Sequence, residues 1–339
     1  MENSYRKLDG LNQSLLKKIL VSPSAFIKQR DRQGNSDEAH FVFGSLVDDM
    51  LLSSANIEDK YYVLKDDSTS DLLKSITRYV YDYLKTSETA KELSLDLVWS
   101  SMNSVILIAC DQYDYQNRWK NVTRIEKVKT TCLNYFKSLY AAEGKKIISE
   151  EDYYKASHCV GALKTDNFTK KYIVTDKNTE LWKHKVIKFE YGGIEFKGEL
   201  DKVFIDHSAK TIQPIDYKTT GSSVYSFNYD FWKFRYDFQS AVYFYGISKD
   251  PEVIKLLEKG YKILPFKYIV VEKEMHNPPM IFEVPDSVIK IGWEGGTLSS
   301  GRTYEGFTHA VFRYIFHTEI DKWDYPMEYY QKKHTKIKI

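Results

Sequence analysis

The chain of 339 residues has little cysteine, no long apolar run and almost no excess of either charge. Its three cysteines, Cys110, Cys132 and Cys159, are widely spaced and form no C-x-x-C pair. This spacing predicts buried thiols rather than a disulfide framework, a zinc site or an iron–sulfur cluster. The longest apolar run, Val105–Cys110, is far too short to cross a bilayer, and no signal peptide follows Met1. We therefore expect a cytoplasmic protein without a membrane segment.

The near balance of charge limits how the chain could meet nucleic acid. A net charge of +2 from 49 basic and 47 acidic residues argues against a protein that coats DNA by bulk attraction. Any DNA contact must then be local. The candidate basic patches are Lys17–Lys18, Lys183–Lys185 and Lys332–Lys338. Taken alone, each of them is better explained as solvated surface charge.

What is abundant favours one large α/β fold. Hydrophobic residues make up 42% and aromatic residues 15% of the chain, which is enough for a substantial core. The spacing predicts an N-terminal helical region, a helical block without glycine between Asp71 and Ala142, and strands from Thr179 onward. We therefore expect an α/β protein.

Several local patterns sharpen that expectation. Gly192-Gly193 between two alternating runs predicts a hairpin, and Pro214 inside the strand 211–220 indicates a sheet edge or a bulge. Further elements are predicted as helices over 12–20, 41–52, 149–163 and 231–248, a short helix after Ser22, and a strand over 263–271.

The segment 198–220 places acidic residues and one lysine at strand spacing. Alternation puts Asp216 and Lys218 on one face, and Glu199 and Asp201 on one face of the preceding strand. If the two strands pair, two or three carboxylates and one ammonium group converge. Clustered carboxylates repel one another, and a hard divalent cation stabilises them.

A polar side chain on the next predicted helix strengthens this pattern. Tyr236, Gln239 and Tyr243 fall at i, i+3 and i+7, on one helical face. Such a stripe is more often core than functional site. The Gln239 amide is the exception, because a buried amide needs a hydrogen-bonding partner.

Together these residues resemble the PD-(D/E)XK nuclease superfamily. The resemblance rests on G-E-L-D ending at Asp201, I-D-Y-K-T-T around Asp216 and Y-x-x-Q-x-A-x-Y around Gln239. Within the superfamily the chain is most similar to the RecB-like group, which includes exonuclease VIII (RecE) and related phage exonucleases. Leu11–Leu16 with Ser22–Phe26, and the helix that contains Gly44, resemble the early motifs of that group.

The resemblance implies a restriction-endonuclease-like fold, in which a central mixed sheet is flanked by helices and preceded by a helical N-terminal region. The chain would form a single domain over 1–339, with the catalytic core sheet and helix at 179–271. The segment 60–145, which is longer than in relatives, would be a helical insertion.

The resemblance implies a role for each matching residue. Asp201 and Asp216 would bind Mg²⁺ or Mn²⁺, together with the backbone carbonyl of Tyr217. Lys218 would position or deprotonate the attacking water and offset charge on the phosphorane, and Gln239 would orient the lysine, the water or the DNA backbone. Secondary candidates are Glu199, Glu180, Tyr236 and Tyr243.

One position departs from the family pattern. Where the family has a metal-ligating histidine four residues after the glycine, this chain has Asp48. A carboxylate is a suitable ligand for magnesium or manganese. The alternative is that Asp48 is an ordinary exposed helical acid and that the metal site is weakened or lost.

The function implied by the resemblance is a magnesium-dependent exonuclease acting on ends of linear duplex DNA, in recombination or repair. An endonuclease on branched or single-stranded DNA and a catalytically silent DNA-binding protein are the alternatives. The resemblance also implies a recombination or single-strand-annealing partner and a homo-oligomeric ring.

Overall fold

The computed structural model describes residues 4–31, 39–52, 56–65, 69–86 and 94–334. Its strands are β1 (Leu11–Asn12), β2 (Tyr61–Leu64), β3 (Lys146–Ser149), β4 (Thr179–Tyr191), β5 (Ile194–Asp206), β6 (Thr211–Thr220), β7 (Lys262–Ile263), β8 (Lys267–Glu272), β9 (Met280–Glu283), β10 (Gly296–Thr297) and β11 (Thr303–Tyr304). Its helices are α1 (Gln13–Leu16), α2 (Pro23–Arg30), α3 (Ala39–Leu52), α4 (Ile57–Lys60), α5 (Asp71–Lys85), α6 (Leu95–Ser101), α7 (Asn103–Gln112), α8 (Asn121–Ala141), α9 (Glu150–Thr165), α10 (Phe227–Lys233), α11 (Tyr236–Ser248), α12 (Pro251–Glu258), α13 (Asp286–Glu294), α14 (Phe307–Ile320) and α15 (Met327–Lys332).

The chain divides into two compact units. One comprises Met1–Asp37 with His158–Ile339, and the other is Glu38–Ser157. The helical insertion predicted at 60–145 falls within the second unit. That it interrupts a single domain over 1–339 stays a prediction, as does the assignment of 179–271 as the catalytic core.

The first unit is built on a seven-stranded mixed sheet. The strand order is β1-β5-β6-β8-β9. In addition, β4 pairs with the other edge of β5, and β7 pairs with β6. The β5–β6 pair is antiparallel and the β6–β8 pair is parallel. Helix α11 packs against β4 and β5, and α13 and α14 pack against α11. The predicted α/β class, a central mixed sheet with flanking helices, is confirmed.

The hairpin predicted around Gly192 and Gly193 is present, with strands longer than expected. Both glycines have positive φ, 61° and 75°, as the central residues of a type I′ turn require. The two strands pair from Tyr191 with Ile194 to Thr179 with Asp206. The pairing with β4 therefore continues along the part of β5, from Lys202 to Asp206, that also pairs with β6.

Pro214 lies inside the sheet at a bulge rather than on an edge strand. It pairs with Val203 of β5, and on its other side the parallel partner changes from β7 to β8. The register advances by one residue there, so the partner strand has an extra residue opposite Gln213–Pro214. Gln213 fills the interruption by donating to the Pro265 carbonyl oxygen at 2.6 Å. The missing proline N–H therefore falls where backbone pairing is broken.

The single helix predicted over 231–248 is wrong. The segment forms α10 and α11, separated by Arg235 in the left-handed region at φ 59°. The guanidinium group stabilises the break, because it binds the Asp237 carboxylate at 2.9 and 3.0 Å and donates to the Glu305 carbonyl oxygen at 2.6 Å.

Other predicted elements are present with altered bounds. The helix predicted over 12–20 is α1 followed by a 3-10 turn from Lys17 to Leu20, capped by Asn12, whose Oδ1 accepts from the Leu15 N–H at 2.8 Å. The strand predicted over 263–271 is divided into β7 and β8. All three cysteines are buried, as predicted. Among the described helices, none is long and apolar enough to span a bilayer.

The second unit has its own core. Helices α5 to α8 enclose it, with Trp99 stacked on Phe136 at a ring-centroid distance of 4.5 Å. Strands β2 and β3 form a separate parallel pair. The helical character predicted for 70–145 is confirmed for its described residues.

The crossing of α11 and α13 depends on Gly292. A Cβ atom there would lie 2.0 Å from the Asp237 carbonyl oxygen and 2.9 Å from the Ala241 Cβ. We expect Gly292→Ala to lower the free energy of unfolding by about 1–3 kcal/mol through overpacking, measured by chemical denaturation.

The matched control for this substitution is Gly161→Ala on helix α9. Apart from its chain neighbours and the backbone of its own helix, no atom lies within 4 Å of a Cβ added at Gly161. Alanine there should leave stability unchanged or raise it by about 0.5–1 kcal/mol, because alanine has the higher helix propensity. Equal effects of the two substitutions would contradict the tight contact at Gly292.

Candidate functional site

Asp201 lies where β5 passes from one neighbouring strand to the next. On this edge β5 pairs with β1 at Phe196 and Lys197 and with β6 from Lys202 onward. Asp201 is in the interval between them. Its Oδ2 accepts a hydrogen bond from the Tyr217 N–H at 2.8 Å, so the carboxylate binds β6 directly as the two strands separate.

Asp216 and Lys218 project from β6 toward α11. The Lys218 ammonium group pairs with Asp216 Oδ1, and Gln239 Nε2 of α11 donates to Asp216 Oδ2 at 2.7 Å. Asp216 is only 2% exposed. The structure therefore brings together Asp216, Lys218 and Gln239, and the partner expected for the buried Gln239 amide is the Asp216 carboxylate.

Aromatic rings hold Lys218 on its other side. Its Nζ lies 5.1 Å from the ring centroid of Tyr236 and 5.9 Å from that of Tyr268. These two rings stack on each other at 5.4 Å. An ammonium group is attracted to the face of an aromatic ring, so the lysine is fixed between a carboxylate and a ring face.

The electrostatics of the site are dominated by buried negative charge. Burial, and secondly the Asp216 charge, raise the pKa of Asp201 to about 7. Burial also raises the pKa of Asp216, against the opposing effects of Lys218 and Gln239. The two carboxylates raise the pKa of Lys218 in spite of its burial. One ammonium group thus faces two acids and leaves an excess of negative charge when both are ionised.

This donor set fits a hard divalent cation that keeps part of its water shell. Within the described ranges, no group of three or more His, Cys, Asp or Glu side chains is arranged to hold a metal ion. Asp201 and Asp216 supply two carboxylates. Mg²⁺ is commonly held by one or two carboxylates together with water and substrate phosphate, so the residues present suit that ion.

Glu199 lies two residues before Asp201 and approaches a histidine. Its Oε1 is 3.5 Å from Nδ1 of His184 on β4. His184 has a positive φ of 50°, and the ladder pairs Lys183 with Lys202 and Lys185 with Leu200, omitting His184 and Asp201. The structure therefore places a histidine opposite Asp201, which the sequence indicated only as part of a basic run.

Tyr236 and Tyr243, the secondary aromatic candidates, both lie at the site. Burial, and then the charge of Asp216, raise the pKa of Tyr243 above its ordinary value. Gly198 makes room for this ring, because a Cβ there would lie 2.9 Å from Tyr243 Cε1. Both tyrosines contribute to the core as well, in agreement with the expectation that the stripe is partly structural.

Glu180 is not brought to this site. It pairs with Ile205, about 13 Å along the β4–β5 ribbon from the Asp201 position. Its carboxylate accepts from Trp182 Nε1 at 2.8 Å and lies 3.5 Å from His207 Nε2. Its role as a metal-binding acid has no support in this geometry.

Asp48 belongs to the second unit. It lies half-buried on α3, next to Asp49, which pairs with Lys60 and accepts from the Tyr61 hydroxyl group at 2.8 Å. Burial, then the hydrogen bond to Asp49 and its charge, raise the pKa of Tyr61, and the Asp48 charge adds to this shift. The role of Asp48 as a metal ligand in place of histidine stays a prediction.

The predicted basic patches are partly used within the fold. Lys185 pairs with Asp250 at 3.0 Å and also with Glu252. Lys17 donates to the Phe234 carbonyl oxygen at 2.7 Å, and burial, then Arg235, lower its pKa to about 8. Lys332 to His334 are exposed, and the rest of the predicted tail patch lies outside the described residues.

Three residues near the cluster were not predicted. They are Lys17, which donates to the Phe234 carbonyl oxygen, Arg235 at the start of α11, and Tyr268, whose ring centroid lies 5.9 Å from Lys218 Nζ. The dipeptide Lys17-Lys18 was the only sequence signal for the first. Arg235 and Tyr268 carried none, because their positions depend on the helix break and on the β6–β8 pairing.

One family model and one solved structure are similar to most of this chain. A family model described as a PDDEXK-like domain of unknown function (DUF3799) matches residues 12–295. No curated protein matches the chain. A crystal structure of a candidate exonuclease from Eubacterium rectale is similar over 91% of this chain and 96% of that one, at 13% identity and a TM-score of 0.36.

Removing one acid should relieve the repulsion between the two carboxylates. We expect Asp201→Asn to raise the stability of the protein in EDTA at pH 8. The pKa of Asp201 is raised in the folded protein, so wild type should lose stability as pH rises from about 4 to about 7. The variant should lose less over this window, as measured by denaturant unfolding at pH 5 and pH 8.

The same substitution should reduce stabilisation by metal. Mg²⁺ or Mn²⁺ should raise the melting temperature of wild type at pH 8 and have little effect on Asp201→Asn. Asp206→Asn, at the far end of the same strand, is the matched control and should keep the metal response. An identical metal response in wild type and Asp201→Asn would contradict a metal role for Asp201.

Proposed function

The chain belongs to the PDDEXK-like family, and on this basis we propose that it is a metal-dependent deoxyribonuclease that degrades linear duplex DNA from its ends. Membership of a PDDEXK-like family supports a nuclease. Divalent metals are general cofactors of PD-(D/E)XK nucleases. Beyond nuclease activity, we propose the roles of the individual site residues and the action at DNA ends.

One observation carries the proposal. Asp216, Lys218 and Gln239, from a strand and a helix, share a single hydrogen-bonded cluster next to Asp201. If the only role of these side chains were to stabilise the core, we would expect them to be held by neutral hydrogen-bonding partners. Here two carboxylates share one ammonium group, with Asp216 buried and Asp201 and Lys218 half-buried. This excess of negative charge is unfavourable for stability alone and suited to a phosphodiester with a bound cation.

Each residue then has a defined task. Asp201 and Asp216, with the Tyr217 carbonyl oxygen, would hold Mg²⁺ or Mn²⁺. When bound, this ion supplies Lewis acidity toward the phosphate and lowers the pKa of a coordinated water. Lys218, between Asp216 and the Tyr236 ring, offsets charge that develops on the phosphate oxygens. Gln239 fixes the orientation of Asp216 through its hydrogen bond.

Action at DNA ends is supported by the resemblance to the RecE-like exonucleases alone. An endonuclease of the same fold would use the same cluster. The recombination or annealing partner, the homo-oligomeric ring and the completion of the metal site by Asp48 likewise rest on that resemblance.

Substitutions in the cluster should lower the rate of hydrolysis without unfolding the protein. With magnesium and linear duplex DNA, we expect Lys218→Ala and Asp216→Asn each to lower the rate of nucleotide release by about 10²–10³-fold. Gln239→Ala should lower it by about tenfold, because it loses one hydrogen bond to a charged group. Lys188→Ala, an exposed lysine on β4, is the matched control and should keep wild-type activity.

Assays on different DNA substrates distinguish the competing functions. Degradation of linear duplex with no cleavage of covalently closed circular DNA supports the exonuclease, whereas cleavage of the circle supports the endonuclease. Calorimetric titration of Mg²⁺ and Mn²⁺ tests the silent alternative. Absence of metal binding and hydrolysis, with DNA binding retained, would leave a catalytically silent DNA-binding protein.

A further inference from the structure

Exposed aromatic rings lie along α10 and the residues that join it to α11. Tyr229 is 67% exposed and Phe234 is 47% exposed. A single exposed aromatic side chain is ordinary on a protein surface. These two are different because contacts connect them to the site residue Lys218.

The connection alternates rings and ammonium groups. Lys233 Nζ lies 5.8 Å from the Tyr229 ring centroid and 5.1 Å from that of Phe234. The Phe234 ring is 5.9 Å from the Tyr236 ring, and Tyr236 lies 5.1 Å from Lys218 Nζ. Tyr229, Phe234 and Tyr236 thus form an aromatic track that leads from exposed surface to the candidate catalytic lysine.

The backbone of the track is fixed at its inner end. Lys17 Nζ donates to the Phe234 carbonyl oxygen at 2.7 Å. Next to it, Arg235 is held by the buried Asp237 carboxylate. Rings held by a fixed backbone lose little conformational entropy when a flat partner stacks on them.

The start of α10 is also anchored. The Val224 N–H donates to the buried Glu272 carboxylate at 2.7 Å. Phe227 stacks on Tyr236 at 5.8 Å and contacts Phe282 at 4.8 Å. The helix that carries Tyr229 is therefore fixed against the sheet by its buried side, and the exposed ring lies on the other side.

Ring faces interleaved with cations match the chemistry of unpaired nucleotides. Bases of a single strand stack on exposed aromatic side chains, and ammonium groups bind the phosphates between them. In a duplex the base faces are already stacked on their neighbours, so the rings would have no face to bind. The continuity of the track with Lys218 favours a strand that runs on into the cluster of Asp216 and Gln239.

We propose that the aromatic track binds unpaired nucleotides of a single DNA strand and guides that strand to Lys218. The guidance toward hydrolysis rests on the proposed nuclease function. The binding itself is a separate property and is measurable without metal. The substrate class is therefore DNA with a single-stranded segment, such as a frayed or overhanging end.

The test separates stacking from charge. The full chain is titrated in EDTA with a fluorescent thymidine oligonucleotide of about 12 residues and with an abasic strand of equal length and charge. We expect Tyr229→Ala and Phe234→Ala each to weaken binding of the thymidine strand by about five- to 100-fold. Binding of the abasic strand should be unchanged. Lys233→Ala should weaken both.

Phe312→Ala on α14 is the matched control, since this residue is a 59% exposed aromatic on another element. It should bind both strands as wild type does, and thermal unfolding confirms that each variant is folded. Equal affinity of wild type, Tyr229→Ala and Phe234→Ala for the thymidine strand would overturn the proposal. Equal losses of affinity for the thymidine strand and the abasic strand in these two variants would also overturn it. So would the finding that the track mediates self-association instead.

The two proposals fail in different ways. Base-dependent binding without hydrolysis in magnesium would contradict the nuclease function and leave the track intact. Metal-dependent hydrolysis with unchanged strand binding in the variants would contradict the track alone.

Discussion

The hydrogen-bonded ion pair around Asp216 is the interaction on which the arrangement of the first unit depends. A carboxylate buried on a central strand is strongly unfavourable unless it is paired and hydrogen-bonded. Its partners come from two elements, Lys218 of the same strand and Gln239 of α11. The helix must therefore lie close to β6 and present one particular residue to it. This contact and the packing of Phe238 and Val242 in the core together set the rotation of α11 about its own axis.

That close approach is made possible by small residues on both sides of α11. A Cβ at Gly246 would lie 2.4 Å from Ile187 Cδ1, and one at Gly292 would lie 2.0 Å from the Asp237 carbonyl oxygen. The helix is thus held between the β4–β5 ribbon and α13. The side chains at its start, Arg235 and Tyr236, are positioned by the same packing that stabilises the core.

The sequence was informative where a side chain had one way to satisfy its chemistry. The strand predicted over 211–220 has the bounds of β6, Gly192-Gly193 predicted the turn, and the Gln239 amide required a polar partner. It was uninformative where a break depends on distant groups. Arg235 adopts a left-handed conformation usually left to glycine or asparagine, and it does so because Asp237 and the Glu305 carbonyl oxygen bind its guanidinium group. The bulge opposite Pro214 was one of two alternatives, and only the pairing of β7 and β8 decides between them.

Asp201 was predicted from the sequence as a site residue, but the backbone geometry that places it beside Asp216 was not. Leu200 and Val203 belong to the same core although they are three positions apart, so the regular alternation of β5 shifts by one residue between them. The shift occurs opposite His184, whose positive φ interrupts the ladder. Asp201 lies at this irregularity, which frees its carboxylate to accept from the Tyr217 N–H. In a regularly alternating strand, keeping Leu200 in the core would turn Asp201 away from Asp216. Keeping Asp201 beside Asp216 would instead turn Leu200 out of the core. The backbone distortion at His184 is therefore part of what brings the two carboxylates together.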